Sequence, residues 1–169
     1  MTIETERLRI MPLFLSQLHK YVASDGSLEA ELNLNPSPRD MSPDLAEAFE
    51  TSILPNMADP KKNYWYYTLW TIIAKTENKM VGGLLFTGEP NAEGEVEIGY
   101  GTEPPFQNKG YMTEAIGGIV QWLKGQSHVR TVLAQTDLSN VPSYKTLIKN
   151  NFAQYKTVED KIWWRLPIV

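Results

Sequence analysis

The sequence predicts an α+β protein built on a mixed, mostly antiparallel sheet. Two patterns carry that expectation: β-branched and aromatic runs come in pairs across polar turns, as in hairpins, and one strand-helix-strand crossover interrupts them between residues 95 and 136. With 169 residues and 42% hydrophobic composition the chain can bury a substantial core, so residues 1–169 are expected to form a single domain.

Each element has a local reason. Arg7-Leu8-Arg9-Ile10-Met11 alternates polar and apolar residues before Pro12, which predicts a short first strand. Leu15, Leu18 and Val22 recur at helical spacing, and the helix they predict ends before the turn Ser24-Asp25-Gly26-Ser27. Pro36, Pro38 and Pro43 break regular structure between Asn33 and Pro43. Ser42, an N-cap residue followed by Pro43, opens a second helix with Leu45, Ala48, Phe49, Ile53 and Leu54 on its apolar face, ending near Pro55.

Residues Tyr64 to Ala74 and Met80 to Thr87, joined by Thr76-Glu77-Asn78-Lys79, predict a hairpin. In the next strand, Glu95 to Tyr100, alternation puts Glu95 and Glu97 on one face and Val96, Ile98 and Tyr100 on the other. Ala115, Ile116, Ile119, Val120 and Leu123 form the stripe of a helix that ends around Gly125, and Val129 to Thr136 is the strand it delivers, parallel to its predecessor. A short helix, Ser143 to Asn150, is expected to turn Leu147 and Ile148 inward, and Phe152 to Val158 with Ile162 to Leu166 forms a closing hairpin.

Composition narrows the chemistry. With no cysteine, and only His19 and His128 as histidines, the chain has no disulfide, no thiolate centre and no cysteinyl intermediate, and no metal site is expected. A net charge of -4 and a pI near 5.2 oppose nucleic-acid binding and suit a cationic partner. Acidic residues gather at Asp25, Glu29, Glu31, Asp40, Asp44, Glu47 and Glu50, a pattern also expected of solvated helix faces. No apolar run spans a bilayer and the first residues are acidic, so a cytoplasmic protein without membrane contact is expected.

The most informative segment runs from Gly99 to Ala115, where a strand passes through a polar glycine loop into a helix. A helix start offers unpaired N–H groups and the positive end of the macrodipole, and so suits phosphate. Gly110 permits close approach, Gln107 and Asn108 supply neutral donors, and Lys109 adds a cation. An ordinary surface turn capped at Thr113 would show some of the same residues.

In this order and spacing, Thr5-Glu6-Arg7-Leu8-Arg9, Met80-Val81-Gly82-Gly83-Leu84, Glu97-Ile98-Gly99-Tyr100, Gln107-Asn108-Lys109-Gly110-Tyr111-Met112-Thr113-Glu114-Ala115, and Asn140-Val141-Pro142-Ser143 with Phe152 resemble the GNAT superfamily. These are acyl-coenzyme A-dependent N-acyltransferases, and the likeness is to the Rim-type branch that modifies ribosomal-protein N-termini. The resemblance covers nearly the whole chain. It implies a three-layer fold with helices on both faces of a sheet splayed between two parallel strands.

It also implies that acetyl-coenzyme A is the acyl donor, with no metal. The loop Gln107, Asn108, Lys109, Gly110, Tyr111, Met112 and Thr113 would wrap the pyrophosphate. Met112 departs from the family pattern Q/R-x-x-G-x-G/A, which expects a small residue there. The backbone of Tyr100, Gly101 and Thr102 would pair with the pantetheine arm, Asn140 would touch that arm, and Lys145 and Lys149 would meet the 3′-phosphate.

Freeing the lone pair of an amine with a pKa near 10 costs about 4 kcal/mol at neutral pH, so a base or a water relay is required. By resemblance Glu97 is that base, with Glu95 in reserve, although a strand glutamate can also be merely solvated. Many family members carry a tyrosine at the position of Leu147 to protonate the departing thiolate. In the Rim-type pattern N-x-x-S, Ser143 takes this role, with Tyr144 as fallback; as a helix-start residue Ser143 would need no catalytic reason. The aromatic run from Tyr64 to Trp70, with Trp163 and Trp164, reads as core or as an acceptor-lining surface.

The implied reaction is direct acetyl transfer in a ternary complex to a primary amine, either a protein N-terminus or a small molecule. The alternative is a catalytically inactive acyl-coenzyme A-binding module. A homodimer stays open on sequence grounds.

Overall fold

The computed structural model describes residues 1–169. Strands β1 (Ile3–Glu4), β2 (Leu8–Pro12), β3 (Leu69–Ala74), β4 (Lys79–Phe86), β5 (Glu95–Thr102), β6 (Thr131–Asp137), β7 (Ala153–Val158) and β8 (Lys161–Pro167) form one sheet in the order β1-β2-β3-β4-β5-β6-β8-β7. Every neighbouring pair is antiparallel except β5 and β6, which run parallel from Glu95↔Thr131 to Ile98↔Ala134. This is the mixed α+β sheet expected from the sequence.

Helices cover both faces. On one lie α1 (Leu15–Ala23), α2 (Ser27–Leu32), α3 (Pro43–Ala48) and α4 (Leu54–Met57), with a π-helical turn at Phe49–Ile53 between the last two. Their apolar residues Leu18, Tyr21, Phe49 and Ile53 pack on Leu69, Ile73 and Met80. On the other face, α5 (Tyr111–Leu123) buries Ala115, Ile116, Ile119, Val120 and Leu123 against Ile10, Ile72, Val96, Ile98 and Val132, and α6 (Val141–Lys149) adds Leu147. Strand β3, between β2 and β4 and covered on both faces, is buried throughout. Burial of this kind supplies most of the stability of a small fold.

The site depends on one interruption. Strand β4 pairs with β5 as far as Gly82↔Thr102, but β6 leaves β5 after Ile98↔Ala134. From Gly99 to Thr102 the β5 backbone therefore has a neighbour on one side only.

Several elements differ from the sequence expectation. Tyr64–Tyr66 is a 3-10 turn, because Asn63 accepts from the Trp65 N–H and the Trp70 indole donates to the Trp65 carbonyl at 2.8 Å; the strand begins at Leu69. The buried side of α1 is Gln17, Leu18 and Tyr21, while Val22 is exposed, since Gln17 is turned in to reach Glu31 and the Phe14 N–H. Ile148 is 53% exposed; only Leu147 of that pair enters the core. Strand β1 and helix α2 were not foreseen, and Pro55 lies inside α4, which continues without a break from the π-helical turn at Phe49–Ile53, rather than ending the helix.

Candidate active site

From Thr102 the chain passes through a 3-10 turn at Pro104–Phe106 into the loop before α5. Gly110 is the helix N-cap, with φ 78°, and Asn108 also takes a left-handed conformation at φ 63°. Asparagine tolerates that region better than other side chains, so both reversals fall on suitable residues. As a result the N–H groups from Asn108 through Thr113 donate to no acceptor in the protein. Successive free amides at a helix start form a concave anion site.

These residues line a cavity of about 520 Å³ that runs from Tyr100, Gly101 and Thr102 past the loop to α6. Its charged side chains are Lys109, Lys145 and Lys149, all cationic. Met112 is only 8% exposed; its side chain is turned into the core, leaving its N–H at the cavity wall, so the bulky residue does not fill the loop. Gln107 folds back to donate to the Thr102 carbonyl at 3.2 Å, and Asn140 caps α6, accepting from the Ser143 N–H at 3.3 Å.

Tyr100 spans the gap that β6 vacates. Its hydroxyl donates to the Ser143 carbonyl at 3.0 Å and accepts from Ser143 Oγ at 3.0 Å. Burial pushes its pKa up to about 12, with the Ser143 hydrogen bond opposing, so it stays protonated at neutral pH. Tyr144 instead stacks on Trp164, ring centroids 5.9 Å apart, and lies outside the cavity wall. Leu147, the position at which the family resemblance expects a tyrosine, is fully buried.

A second cavity, about 420 Å³, opens beneath α1 and α3 and shares Tyr100, Gly101 and Thr102 with the first. Leu45 and Ala48 of α3 and Leu69 and Leu85 of the sheet line it, and its charged side chains are Asp40, Asp44 and Glu103, all acidic. Burial pushes the Glu103 carboxyl above the usual carboxylate range; the Asp40 N–H, donating at 3.1 Å, pulls it back. Burial likewise raises Tyr21 to about 12, with the Glu103 charge adding to it. Beside this cavity, Arg39 and Glu29 form a buried ion pair and the guanidinium lies 4.4 Å from the Tyr21 ring centre.

Glu97 faces the same side of β5 as Gly99 and Gly101 but stands outside both cavity walls. Burial pushes its carboxyl above the usual range, and the Gln135 amide, donating to Oε2 at 3.1 Å, opposes that shift. Glu95 is held by Asn91, which donates to its Oε1 at 3.0 Å. Of the aromatic run, Tyr66 and Trp70 are core, fully buried and clustered with Phe86 and Trp122, whereas Tyr64, Trp65 and Tyr67 are half-buried. The sequence reading missed Glu103, whose only local mark is a carboxylate directly before Pro104 at the end of the strand.

The acetyltransferase (GNAT) domain family matches residues 7–153. An N-acetyltransferase of Bacillus subtilis strain 168 described as uncharacterized, YjdG, is 28% identical over 165 residues, covering 95% of each chain. Among solved structures, RimL, a ribosomal L7/L12 alpha-N-protein acetyltransferase in complex with coenzyme A, superposes with a TM-score of 0.69 at 15% identity, covering 99% of this chain and 98% of that one. Ribosomal-protein-S5-alanine acetyltransferase from Vibrio fischeri gives 0.63 at 17% identity, with 99% and 96% covered. The low identities speak for the fold, which this chain shares with Rim-type enzymes. The chain is an acetyltransferase and belongs to the GNAT family.

Proposed function

We propose that this enzyme transfers the acetyl group of acetyl-coenzyme A to a cationic primary amine, by direct attack in a ternary complex. The observation that carries the reading is the meeting of two cavities of opposite charge, one walled by Lys109, Lys145 and Lys149 and the other by Asp40, Asp44 and Glu103, at Tyr100, Gly101 and Thr102. An anionic donor suits the first and an ammonium the second.

In this reading the free N–H groups from Asn108 to Thr113 hold the diphosphate, and the unpaired β5 edge takes the amides of the pantetheine arm, as a peptide adds to a sheet. Glu103 and its acidic neighbours hold the ammonium. Glu97, kept basic by burial, takes the amine proton through water. The nitrogen attacks the thioester carbonyl; as the tetrahedral intermediate collapses the nitrogen gives its second proton to water, the C–S bond breaks, and the sulfur leaves as thiolate. Ser143 Oγ supplies its proton and is re-protonated from solvent.

The acceptor class stands between a protein N-terminus and a small amine. The test is coenzyme A release with acetyl-coenzyme A and a panel of free-N-terminal peptides, diamines and amino sugars. Turnover with at least one cationic amine is expected. Saturable binding of coenzyme A with no turnover on any amine would instead support the inactive binding module.

A further inference from the structure

The N-terminal motif Thr5-Glu6-Arg7 takes no part in either cavity wall, yet it grips the loop before α5 at several points. The Arg7 guanidinium donates from Nη1 to the Lys109 carbonyl at 2.8 Å and from Nε to Glu114 Oε2 at 2.7 Å. The Arg7 backbone N–H and Thr5 Oγ1 both donate to Glu114 Oε1 at 2.7 Å. The guanidinium also covers the Tyr111 ring at 4.7 Å, and a Cβ placed on Gly110 would stand 3.3 Å from Nη2.

We infer that Arg7 is a positioning residue for the diphosphate loop, acting through the Lys109-Gly110 peptide. In a planar trans peptide the C=O and the following N–H point in opposite directions. Arg7 draws the Lys109 oxygen to the outside, so the Gly110 N–H is turned toward the cavity with its neighbours. Glu114 locks the guanidinium fork in place, since Nε and Nη1 must be satisfied together. A lysine has the charge but cannot hold both partners in this geometry. The role rests on the proposal that the loop binds the diphosphate of coenzyme A.

The test compares Arg7→Ala and Arg7→Lys with the unmodified enzyme, the lysine variant guarding against loss of folding. Both are expected to raise KM for acetyl-coenzyme A by about tenfold, as expected for loss of a hydrogen bond that fixes a charge-binding group. The inhibition constant of coenzyme A should rise in parallel, while that of pantetheine, which lacks the diphosphate, and the acceptor KM stay unchanged. An equal rise for pantetheine and coenzyme A, or no rise for either, would overturn the inference. Absence of acetyl-coenzyme A turnover in the unmodified enzyme would instead sink the functional reading beneath it.

Discussion

Tyr100 and Ser143 are joined twice: the phenol donates to the serine carbonyl and accepts from the serine hydroxyl, both at 3.0 Å. The pair fixes the start of α6 to the strand that β6 abandons, and in the proposed mechanism it positions Ser143 Oγ for the departing thiolate. Tyr100→Phe is expected to lower kcat by about three- to tenfold, the worth of one positioning hydrogen bond, with little change in KM for acetyl-coenzyme A. Ser143→Ala should lower kcat by at least as much. Because they act as a unit, the double variant should fall no further than Ser143→Ala alone, which steady-state kinetics on the four proteins would measure.

Glu97, the proposed base, also carries a cost in stability. Glu97→Gln should reduce kcat by about a hundredfold or more and abolish the acidic limb of the pH–rate profile. Its folded pKa is raised, so above that pKa the ionised group weakens the fold. The glutamine variant should therefore melt at higher temperature than the unmodified protein at pH 8. The advantage should vanish below the ordinary glutamate pKa of about 4.3, where the native carboxyl is protonated in both states.

In the proposed function Glu103 binds the acceptor amine and takes no part in the chemistry. Glu103→Gln should raise KM for a cationic amine about tenfold while leaving KM for acetyl-coenzyme A unchanged. Initial-rate measurements varying each substrate in turn would show it; an equal loss in both would place Glu103 elsewhere in the mechanism.

Beside the second cavity stands a buried charge pair. Arg39 and Glu29 are buried together, with side chains 5% and 6% exposed, and Arg39 Nε has no partner. Glu29→Gln would leave the guanidinium uncompensated and should cost about 3–5 kcal/mol, read as a lowered urea midpoint. Replacing both partners by leucine and methionine should restore much of it.

Period-two alternation at Glu95 to Tyr100 and the stripe Ala115 to Leu123 were legible because one face of each is buried and nothing local competes. The Tyr64–Tyr66 turn was not, because aromatic density suits a strand and only the long-range bond from the Trp70 indole decides against it. Helix α2, six residues long, is too short to show a period. At the site, Gly110 announced its positive φ, whereas Asn108 could equally have been an ordinary polar loop residue. Glu103 stayed hidden because its meaning comes from Asp40 and Asp44, more than fifty positions earlier, brought beneath the same helices by folding.

In the proposed reaction, the carboxylate wall of the second cavity bears on the end of the catalytic cycle. Acetylation converts an ammonium into a neutral amide, so the group that Asp40, Asp44 and Glu103 attract loses its attraction as the new bond forms. At these carboxylates the charge difference distinguishes the proposed substrate from its product. Departure of the finished amide is favoured by the same residues that drew its precursor in.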